Sequence, residues 1–529
     1  MAKRADVSVG AALAVVPALA VALVALAPCA VAGAATTATE ESQATAHIAT
    51  SSAGTYVPLT PSRITDTRAG SGYPNAGRTL GAGGMLNVQV TGVGGVPATG
   101  VSAVVLNVTV VNPTGSSFIT VFPEGGTLPV VANLNFGGGE VLANLVTVPV
   151  GTQGGVTVYN HSGSADVVVD VEGYYTTSPQ ATGLYNPVNP LRVFGTLEVG
   201  GAIGAGASQA VNVIGGTTGV PADARAVVVN VTAAGSTGPG YLTAYPAPTS
   251  GTPTPPTAAN LNFMTGQVIG NRVIVAVGAD GRIEIYNHTG TVDVDVDLYG
   301  YYTGSSGELG SAFTPLSPVR FTDTRVGANG SSLSADASES FNFLSDNIPT
   351  NATALASNVT VVSGAGSGYL TIYPTFESAP PVVGDVNFTA FATAQDFALA
   401  PLNGAAVEMF NGSATPVNIV IDAFGYFSPP APAVDVVASP SNLPANGSST
   451  SALTVTVTTG SGVAFDDPVS LTTTPSVAGS CGSTSFPGST NASGQVTSTY
   501  TASTTAGTCT VTATEANGGT TGTAVITQT

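Results

Sequence analysis

Short apolar runs alternate with clusters of Gly, Pro, Asn and Ser along most of the chain. The runs are rich in Val, Ile, Thr, Tyr and Phe, as in VVLNVTV at 104–110 and FITVFP at 118–123, and run lengths of about four to eight residues are typical of β-strands. No window keeps the spacing of an amphipathic helix. The pattern therefore predicts an all-β protein.

One arrangement of these runs occurs three times, about 128 residues apart. Each copy opens with a proline-flanked arginine (PSRITDTR, PLRVFGTL, PVRFTDTR) and has a central strand containing Asn (LNVTV, VNVTA, SNVTV). Each copy ends on an acidic strand (DVEGYY, DLYGYY, DAFGYF). This length and strand rhythm are typical of a sandwich or jelly roll. We predict jelly-roll-like β-sandwich repeats at 56–176, 184–303 and 313–428, called the first, second and third repeats.

These repeats are similar to a secreted repeat region that is common in actinobacterial surface proteins. The carrying features are the R-x-x-D-T-R opening, the central N-V-T and the closing D-V-x-G-Y-Y. The resemblance implies an exported, non-catalytic module whose ligand is not fixed.

The remaining segment, 434–529, has a different pattern. Its stretches PANGSSTSALTVTV, NASGQVTSTYTAS and AGTCTVTAT resemble the bacterial immunoglobulin-like domains of the invasin and intimin group. The resemblance implies an immunoglobulin-like β-sandwich and a role in cell adhesion.

The first residues have the pattern of an export signal. Lys3 and Arg4 precede an uncharged apolar stretch at 9–28, and small residues at 30–34 form peptidase-type sites, so we predict a signal peptide at 1–34. An uncleaved anchor and a lipoprotein start at Cys29 are the alternatives, and Pro28 argues against the second. An Ala/Thr/Ser-rich leader, predicted to be disordered, follows at 35–55. We expect a secreted, extracellular chain with no membrane insertion after cleavage, with retention at the cell surface as an alternative.

Charge narrows the range of partners. Only 8% of the residues are charged and the net charge is −19, compared with about 25% charged residues in ordinary domains. Without basic clusters the chain has nothing to neutralise phosphates, which argues against nucleic acid and anionic membranes. An unknown protein or glycan at the cell surface is the expected partner.

The acids that recur in all three copies are predicted to be structural. An acid within an apolar strand is costly unless it is paired, and the opening arginine is the only cation present in every copy. The predicted pairs between the first and last strands are Arg63 with Asp170, Arg192 with Asp297, and Arg320 with Asp422.

A second kind of pair lies within the opening motif. Asp66 and Arg68 recur as Asp323 and Arg325, whereas the second copy has Gly195 and Leu197 at these positions. The joint loss predicts that the two residues pair with each other.

No catalytic residue, cofactor site or metal site is predicted. His161 and His288 share one turn position that is Gly412 in the third copy, His47 lies in the leader, and no G-x-S-x-G motif occurs. A calcium site remains an open alternative because acids line one strand face in VDVDVDLYG. These acids are Asp293, Asp295 and Asp297, and Asp295 is replaced by valine in the other copies.

Two further patterns concern covalent chemistry. Cys481 and Cys509 are predicted to form a disulfide in an oxidising compartment, with two free thiols as the alternative. Asn107, Asn230 and Asn358 match a glycosylation sequon, but their position within strands favours buried structural side chains.

Three functions follow as hypotheses. The first is a non-catalytic structural or adhesive spacer and interaction scaffold. The second is an extracellular carbohydrate-binding protein, against which the absence of tryptophan counts. The third is a hydrolase with an unrecognised site.

Overall fold

The fold was analysed in a computed structural model of the chain. It describes residues 53–529 except 178–179, 181, 200, 306–309, 327–330, 431–432, 460–461, 464–465 and 517–518. The predicted signal peptide, most of the leader and His47 therefore lie outside the described residues. Within the described part, no helix has the length and apolar character needed to cross a membrane.

The all-β prediction is confirmed. Apart from strands, the described residues contain one short helix, α1 (Thr196–Val199), and two 3₁₀ turns, Gly216–Thr218 and Leu344–Asp346. The strands form antiparallel sheets throughout, except for one short parallel pairing near the end of the chain.

The first repeat folds into two four-stranded sheets. Its strands are β1 (Tyr56–Asp66), β2 (Met85–Gln89), β3 (Val101–Val111), β4 (Ser117–Pro123), β5 (Leu134–Phe136), β6 (Leu142–Pro149), β7 (Gly155–Asn160) and β8 (Asp166–Thr176). The order β1-β8-β3-β6 defines what we call the inner sheet, and β2-β7-β4-β5 defines the outer sheet. Eight strands in two such sheets make a jelly roll.

The second and third repeats have the same strand order. The second contains β9 (Tyr185–Gly195), β10 (Ser208–Asn212), β11 (Ala226–Ala234), β12 (Gly240–Pro246), β13 (Leu261–Phe263), β14 (Ile269–Ala276), β15 (Arg282–Asn287) and β16 (Asp293–Tyr302). The third contains β17 (Ala312–Asp323), β18 (Ala337–Asn342), β19 (Ala354–Ser363), β20 (Gly368–Tyr373), β21 (Val386–Phe388), β22 (Thr393–Pro401), β23 (Ala406–Asn411) and β24 (Val417–Ser428). Their inner sheets are β9-β16-β11-β14 and β17-β24-β19-β22, and their outer sheets are β10-β15-β12-β13 and β18-β23-β20-β21.

The last segment is a two-sheet sandwich of another topology. Its strands are β25 (Ala433–Ser439), β26 (Asn442–Leu443), β27 (Thr450–Thr459), β28 (Gly462–Val463), β29 (Pro468–Pro475), β30 (Ser483–Thr484), β31 (Gly488–Ser489), β32 (Gln495–Thr501), β33 (Gly507–Glu515) and β34 (Thr521–Gln528). One sheet has the order β25-β27-β32-β30, with β28 added to β27, and the other has the order β26-β34-β33-β29-β31. Buried and exposed residues alternate along β32, as expected for a sheet with one face on the core.

The inner sheets are buried on both faces. One face packs on the outer sheet of its own repeat and forms the sandwich core. The other face joins a single apolar cluster to which all three repeats contribute. Strand β3 shows this directly, because nine consecutive residues in its middle are all buried. The three repeats therefore pack against one another, and the described residues from 53 onward belong to one compact unit.

Candidate functional site

Each repeat contains a bidentate arginine–aspartate pair across its inner sheet. Nε and Nη2 of Arg63 donate to Oδ1 and Oδ2 of Asp170 at 2.9 and 3.2 Å. The strand register makes these residues direct neighbours across β1 and β8. The same contacts occur at 2.9 and 3.2 Å between Arg192 and Asp297, and at 2.8 and 3.1 Å between Arg320 and Asp422.

The carboxylates of these pairs are closed to solvent. Asp170, Asp297 and Asp422 are each 0% exposed. Burial raises the pKa of all three acids, while the hydrogen bonds and charge of the paired arginines act in the opposite direction. Such an acid is held by its own repeat and has no open side for a substrate.

The second kind of pair is also formed where its residues exist. Arg68 donates to Asp66 at 2.9 and 2.6 Å, and Arg325 donates to Asp323 at 2.8 and 2.6 Å. Burial raises the pKa of Asp66, but the hydrogen bonds from Arg68 outweigh this and lower the pKa overall. Hydrogen bonds from Arg325 are the main reason that the pKa of Asp323 is lowered.

The second repeat lacks this pair, but an acid on the neighbouring strand takes the place of its aspartate. Asp295 lies opposite Gly195, as Val168 lies opposite Asp66 in the first repeat. From there its Oδ2 lies 2.8 Å from Nη1 of Arg192. The carboxylate is on the last strand of the second repeat, whereas in the other two repeats it is on the first strand. The extra acid in VDVDVDLYG therefore pairs with an arginine.

The three acids of the open calcium alternative have protein partners. Asp295 and Asp297 both contact Arg192, and Asp293 accepts a hydrogen bond from Thr196 Oγ1 at 3.0 Å. Among the described residues, no group of three or more His, Cys, Asp or Glu side chains is arranged to hold a metal ion.

The paired acids and the central asparagines also connect the repeats to one another. Between the first and third repeats, Ala132 N donates to Asp422 Oδ2 at 3.0 Å, and Asn358 Nδ2 donates to Ala132 O at 2.8 Å. An equivalent set joins Ala259 of the second repeat to Asp170 and Asn107 of the first. Between the second and third repeats the asparagine contact recurs, from Asn230 Nδ2 to Gly384 O at 2.8 Å. All three asparagines are at most 1% exposed, so their side chains serve these contacts.

A second layer of cross-repeat bonds comes from the strand beside the central one. Asn144 Nδ2 donates to Asn358 Oδ1 at 2.7 Å, and Asn144 Oδ1 accepts from Phe397 N at 3.1 Å. Asn271 makes the equivalent bonds with Asn107 and with Leu145 N, at 3.0 and 3.2 Å. Asn144 and Asn271 were missed by the sequence analysis, although both occupy the same position in ANLV and GNRV.

The third interface has an acid at this position. Asp396 Oδ1 accepts from Arg272 N at 2.9 Å, but Asp396 Oδ2 and Asn230 Oδ1 lack hydrogen-bond partners among the described residues. Burial raises the pKa of Asp396 to about 7, and the charge of Arg272 acts in the opposite direction. A protonated Asp396 is a hydrogen-bond donor, as the amides of Asn144 and Asn271 are.

Arg272 is a buried cation at the same interface. It is 1% exposed, pairs with Asp385 across the interface, and its guanidinium lies 3.5 Å from the centre of the Tyr299 ring. The equivalent residues in the other repeats are the apolar Leu145 and Phe397, paired opposite Asn107 and Asn358. At this position the third interface has a charged pair, Arg272 with Asp385, whereas the other two interfaces have apolar side chains.

An aromatic cluster lies where the three inner sheets meet. Each repeat contributes one ring from its first strand and one from its last, and all six are 0% exposed: Tyr56, Tyr175, Tyr185, Tyr302, Phe313 and Phe427. The Tyr175 and Tyr302 hydroxyls lie 2.7 Å apart, so two of the buried hydroxyls satisfy each other.

The outer sheets of the first two repeats carry aromatic trios. The first trio is Phe118, Tyr159 and His161, with the imidazole stacked on Phe118 at 4.5 Å. The second is Tyr241, Tyr286 and His288, with a stacking distance of 4.3 Å. The third repeat has only a pair, Tyr369 and Phe410, whose centres lie 6.3 Å apart. The third repeat has Gly412 at the histidine position, and the Tyr369 ring lies over it, where a Cβ would be 2.4 Å from the ring.

A pocket of about 380 Å³ lies between the first and second repeats. The first repeat contributes Arg63 and Arg68, and the second contributes Tyr241 and Asn262. Tyr245, on the same strand as Tyr241, is only 4% exposed, and its hydroxyl contacts Ser208 Oγ at 2.9 Å.

In the last segment, Cys481 and Cys509 are joined by a disulfide that links β33 to the residues just before β30. Cys509 lies inside that sandwich among Leu453, Tyr500 and Ile526. The bond therefore joins the core of the sandwich to one of its connecting segments.

No known family model matches the chain, and no curated protein is similar to it at a significant level. The resemblances drawn in the sequence analysis therefore rest on the quoted motifs.

Proposed function

We propose that the chain is a non-catalytic exported protein that acts as a structural and adhesive scaffold at or near the cell surface. In this proposal the three packed repeats form a stiff body, and contacts with a protein or glycan partner are made by its loops and outer sheets. The immunoglobulin-like segment would add a further contact surface.

The observation that carries the proposal is the use of the recurrent acids. Asp170 is bound by Arg63 within its repeat and by the Ala259 amide of the next. A glycoside hydrolase needs two carboxyl groups that face the scissile bond across a cleft. Acids whose oxygens are bound by a guanidinium and by a backbone amide of the next repeat support a structural role for these residues.

The test uses the intact exported chain in two assays. Incubation with polysaccharide and peptide substrates is expected to give no turnover, while cell fractionation with pull-down is expected to recover the chain with a surface partner. Turnover that disappears on Asp297→Asn would overturn the proposal in favour of a hydrolase.

Carbohydrate binding is the second candidate, and the aromatic trios favour it. Partly exposed rings on the outer face of a sheet are suited to contact with the apolar faces of sugars, since Tyr combines an apolar ring with a polar tip. A glycan array with the intact chain tests this candidate. Binding that weakens in Tyr286→Ala but not in Tyr245→Phe would support it, and an array without signal would count against it.

A further inference from the structure

The pocket between the first and second repeats arises from a difference between equivalent interfaces. Between the first and third repeats, Asn135 donates through Nδ2 to Oε1 of Gln395 at 3.0 Å. At the matching place between the second and first repeats stand Asn262 and Ala143, as the strand pairings show. Ala143 pairs with Thr109, which lines the pocket, and alanine lacks the long side chain by which Gln395 reaches Asn135 at the other interface.

Asn262 has no counterpart of the Gln395 side chain that accepts a hydrogen bond from Asn135. The residue is only 9% exposed, and its Nδ2 has no hydrogen-bond partner among the described residues. Its terminal torsion is broad and roughly two-fold, so a half turn of the amide can present Nδ2 to the pocket. A buried donor without an acceptor costs free energy, which a ligand oxygen would recover.

Guanidinium groups form the opposite wall of the pocket. Arg63 and Arg68 line it, while their paired acids Asp170 and Asp66 are at most 1% exposed and are not part of the lining. The hydrogen bonds to these acids use Nε and Nη2 of each arginine. Nη1 of Arg63 lies a further 3.8 Å from Asp66 Oδ2, whereas the hydrogen bonds of Arg68 to Asp66 leave its Nη1 unused. The wall therefore presents positive charge, which suits a carboxylate.

The remaining surface of the pocket suits a pyranose ring. Tyr241 lies beside Asn262 in the pairing of β12 with β13 and has one stacking partner in His288. Val111, Val141 and Val168 add apolar surface. A cleft with an apolar lining and a few convergent polar groups is typical of small-molecule sites.

The corresponding space at the third interface lacks this chemistry. Its pocket of about 120 Å³ is lined by Gly270 and Asn387, with the acids Glu140 and Asp385 and without any arginine. The combination of donors is therefore particular to the first and second repeats.

We propose that this pocket binds the carboxylate-bearing sugar of an acidic saccharide. Arg68 and Arg63 contact the carboxylate, Asn262 donates to a ring or hydroxyl oxygen, and Tyr241 packs against the face of the sugar ring. The inference rests on the carbohydrate-binding candidate and names its ligand class.

The experiment is isothermal titration calorimetry of the full exported chain with trigalacturonate, with a neutral galactotriose and a glutamate-rich peptide as comparison ligands. Ala143→Gln supplies the side chain that the third repeat carries as Gln395, so it closes the pocket without removing a contact. Arg68→Gln removes the more exposed guanidinium. Arg325→Gln changes the equivalent arginine of the third repeat and is the matched control.

We expect trigalacturonate to bind once per chain and to lose at least about tenfold in affinity in Ala143→Gln and Arg68→Gln, with Arg325→Gln unchanged. Equal affinity in all variants, or preference for the peptide, would overturn the proposal. If galactotriose binds and its affinity is unchanged in Arg68→Gln, the proposal is also overturned, but the carbohydrate-binding candidate still stands. Failure of both trisaccharides to bind would overturn the proposal alone, and the glycan array then decides the carbohydrate-binding candidate.

Discussion

The buried aspartates of the inner sheets are stabilised only because an arginine lies beside each one. Asp422 is completely buried, whereas Arg320 remains 28% exposed and covers it from the solvent side. Removing the cation would leave an uncompensated charge inside the repeat. Removing one partner of a buried pair is far more costly than removing one partner of a surface pair.

Arg320→Met is therefore expected to lower the free energy of unfolding by about 3–5 kcal/mol. Arg282→Met is the matched control, because Arg282 pairs with Asp280 at the surface, and it should leave the free energy of unfolding nearly unchanged. Urea denaturation followed by circular dichroism measures both. A similar small loss in the two variants would show that the buried pair is not needed.

Asp396 is the residue at which the cyclic pattern of asparagines is broken. With a pKa raised to about 7, it binds a proton in the folded state that the unfolded state releases near pH 4. The stability that this proton provides is fully present below about pH 4 and is lost as the pH rises through about 7. Glu172, whose pKa burial raises to about 8, acts in the same direction.

Asp396→Asn is expected to supply the missing hydrogen-bond donor to Asn230 at every pH, because the amide does not need to take up a proton from solvent. Its stability relative to the original chain should increase between pH 5 and pH 8 by on the order of 1–3 kcal/mol. The reverse change, Asn144→Asp, should introduce the same pH-dependent loss at another interface. Denaturation at the two pH values tests this, and a difference that does not change with pH would contradict it.

At the level of elements, the first and last strands of each repeat are joined by an aromatic ring over a glycine. A Cβ built on Gly425 would lie 2.4 Å from the Phe313 ring and 2.6 Å from Thr314 O. Gly173 and Gly300 stand in the same relation to Tyr56 and Tyr185. The glycine of the closing G-Y motif is thus required by the close approach of the ring.

Gly425→Ala should displace Phe313 from the aromatic cluster and cost about 1–3 kcal/mol through overpacking. Gly364→Ala in the same repeat is the control, since its nearest atom, Pro416 O, is 3.9 Å away, and it should stay within about 0.5 kcal/mol of the original chain. Thermal unfolding of the two variants gives the comparison. Equal melting temperatures would refute the steric argument.

Contacts within a repeat were easier to predict from the sequence than contacts between repeats. Arg63 and Asp170 could be matched because both recur in every copy, and a strand pairing is enough to join them. The role of Asp295 could not be predicted, since it depends on which residue lies opposite Gly195 in the neighbouring strand. Asn144 and Asp396 were missed because their partners lie in another repeat, more than 120 residues away in sequence.

At the scale of the whole molecule, a signal for the packing of repeats was present in the central strands. VVLNVTV has hardly any alternation of apolar and polar residues, and such continuous apolar strands are typical of sheets buried on both faces. The sequence pattern predicted the three repeats but not their packing against one another. The second buried face of each inner sheet is instead covered by the other repeats.

The central claim is that the first and third repeats are packed together by contacts between residues that are far apart in the chain. Asn135 and Gln395, both half-buried, meet at this interface. The most direct test is to introduce cysteines at both positions of the full chain, treat the folded protein with a short bis-maleimide and identify the linked peptides by mass spectrometry. The packed arrangement predicts an intramolecular link that is absent from each single variant and from the denatured chain. Unlinked cysteines, or links formed only between molecules, would contradict it.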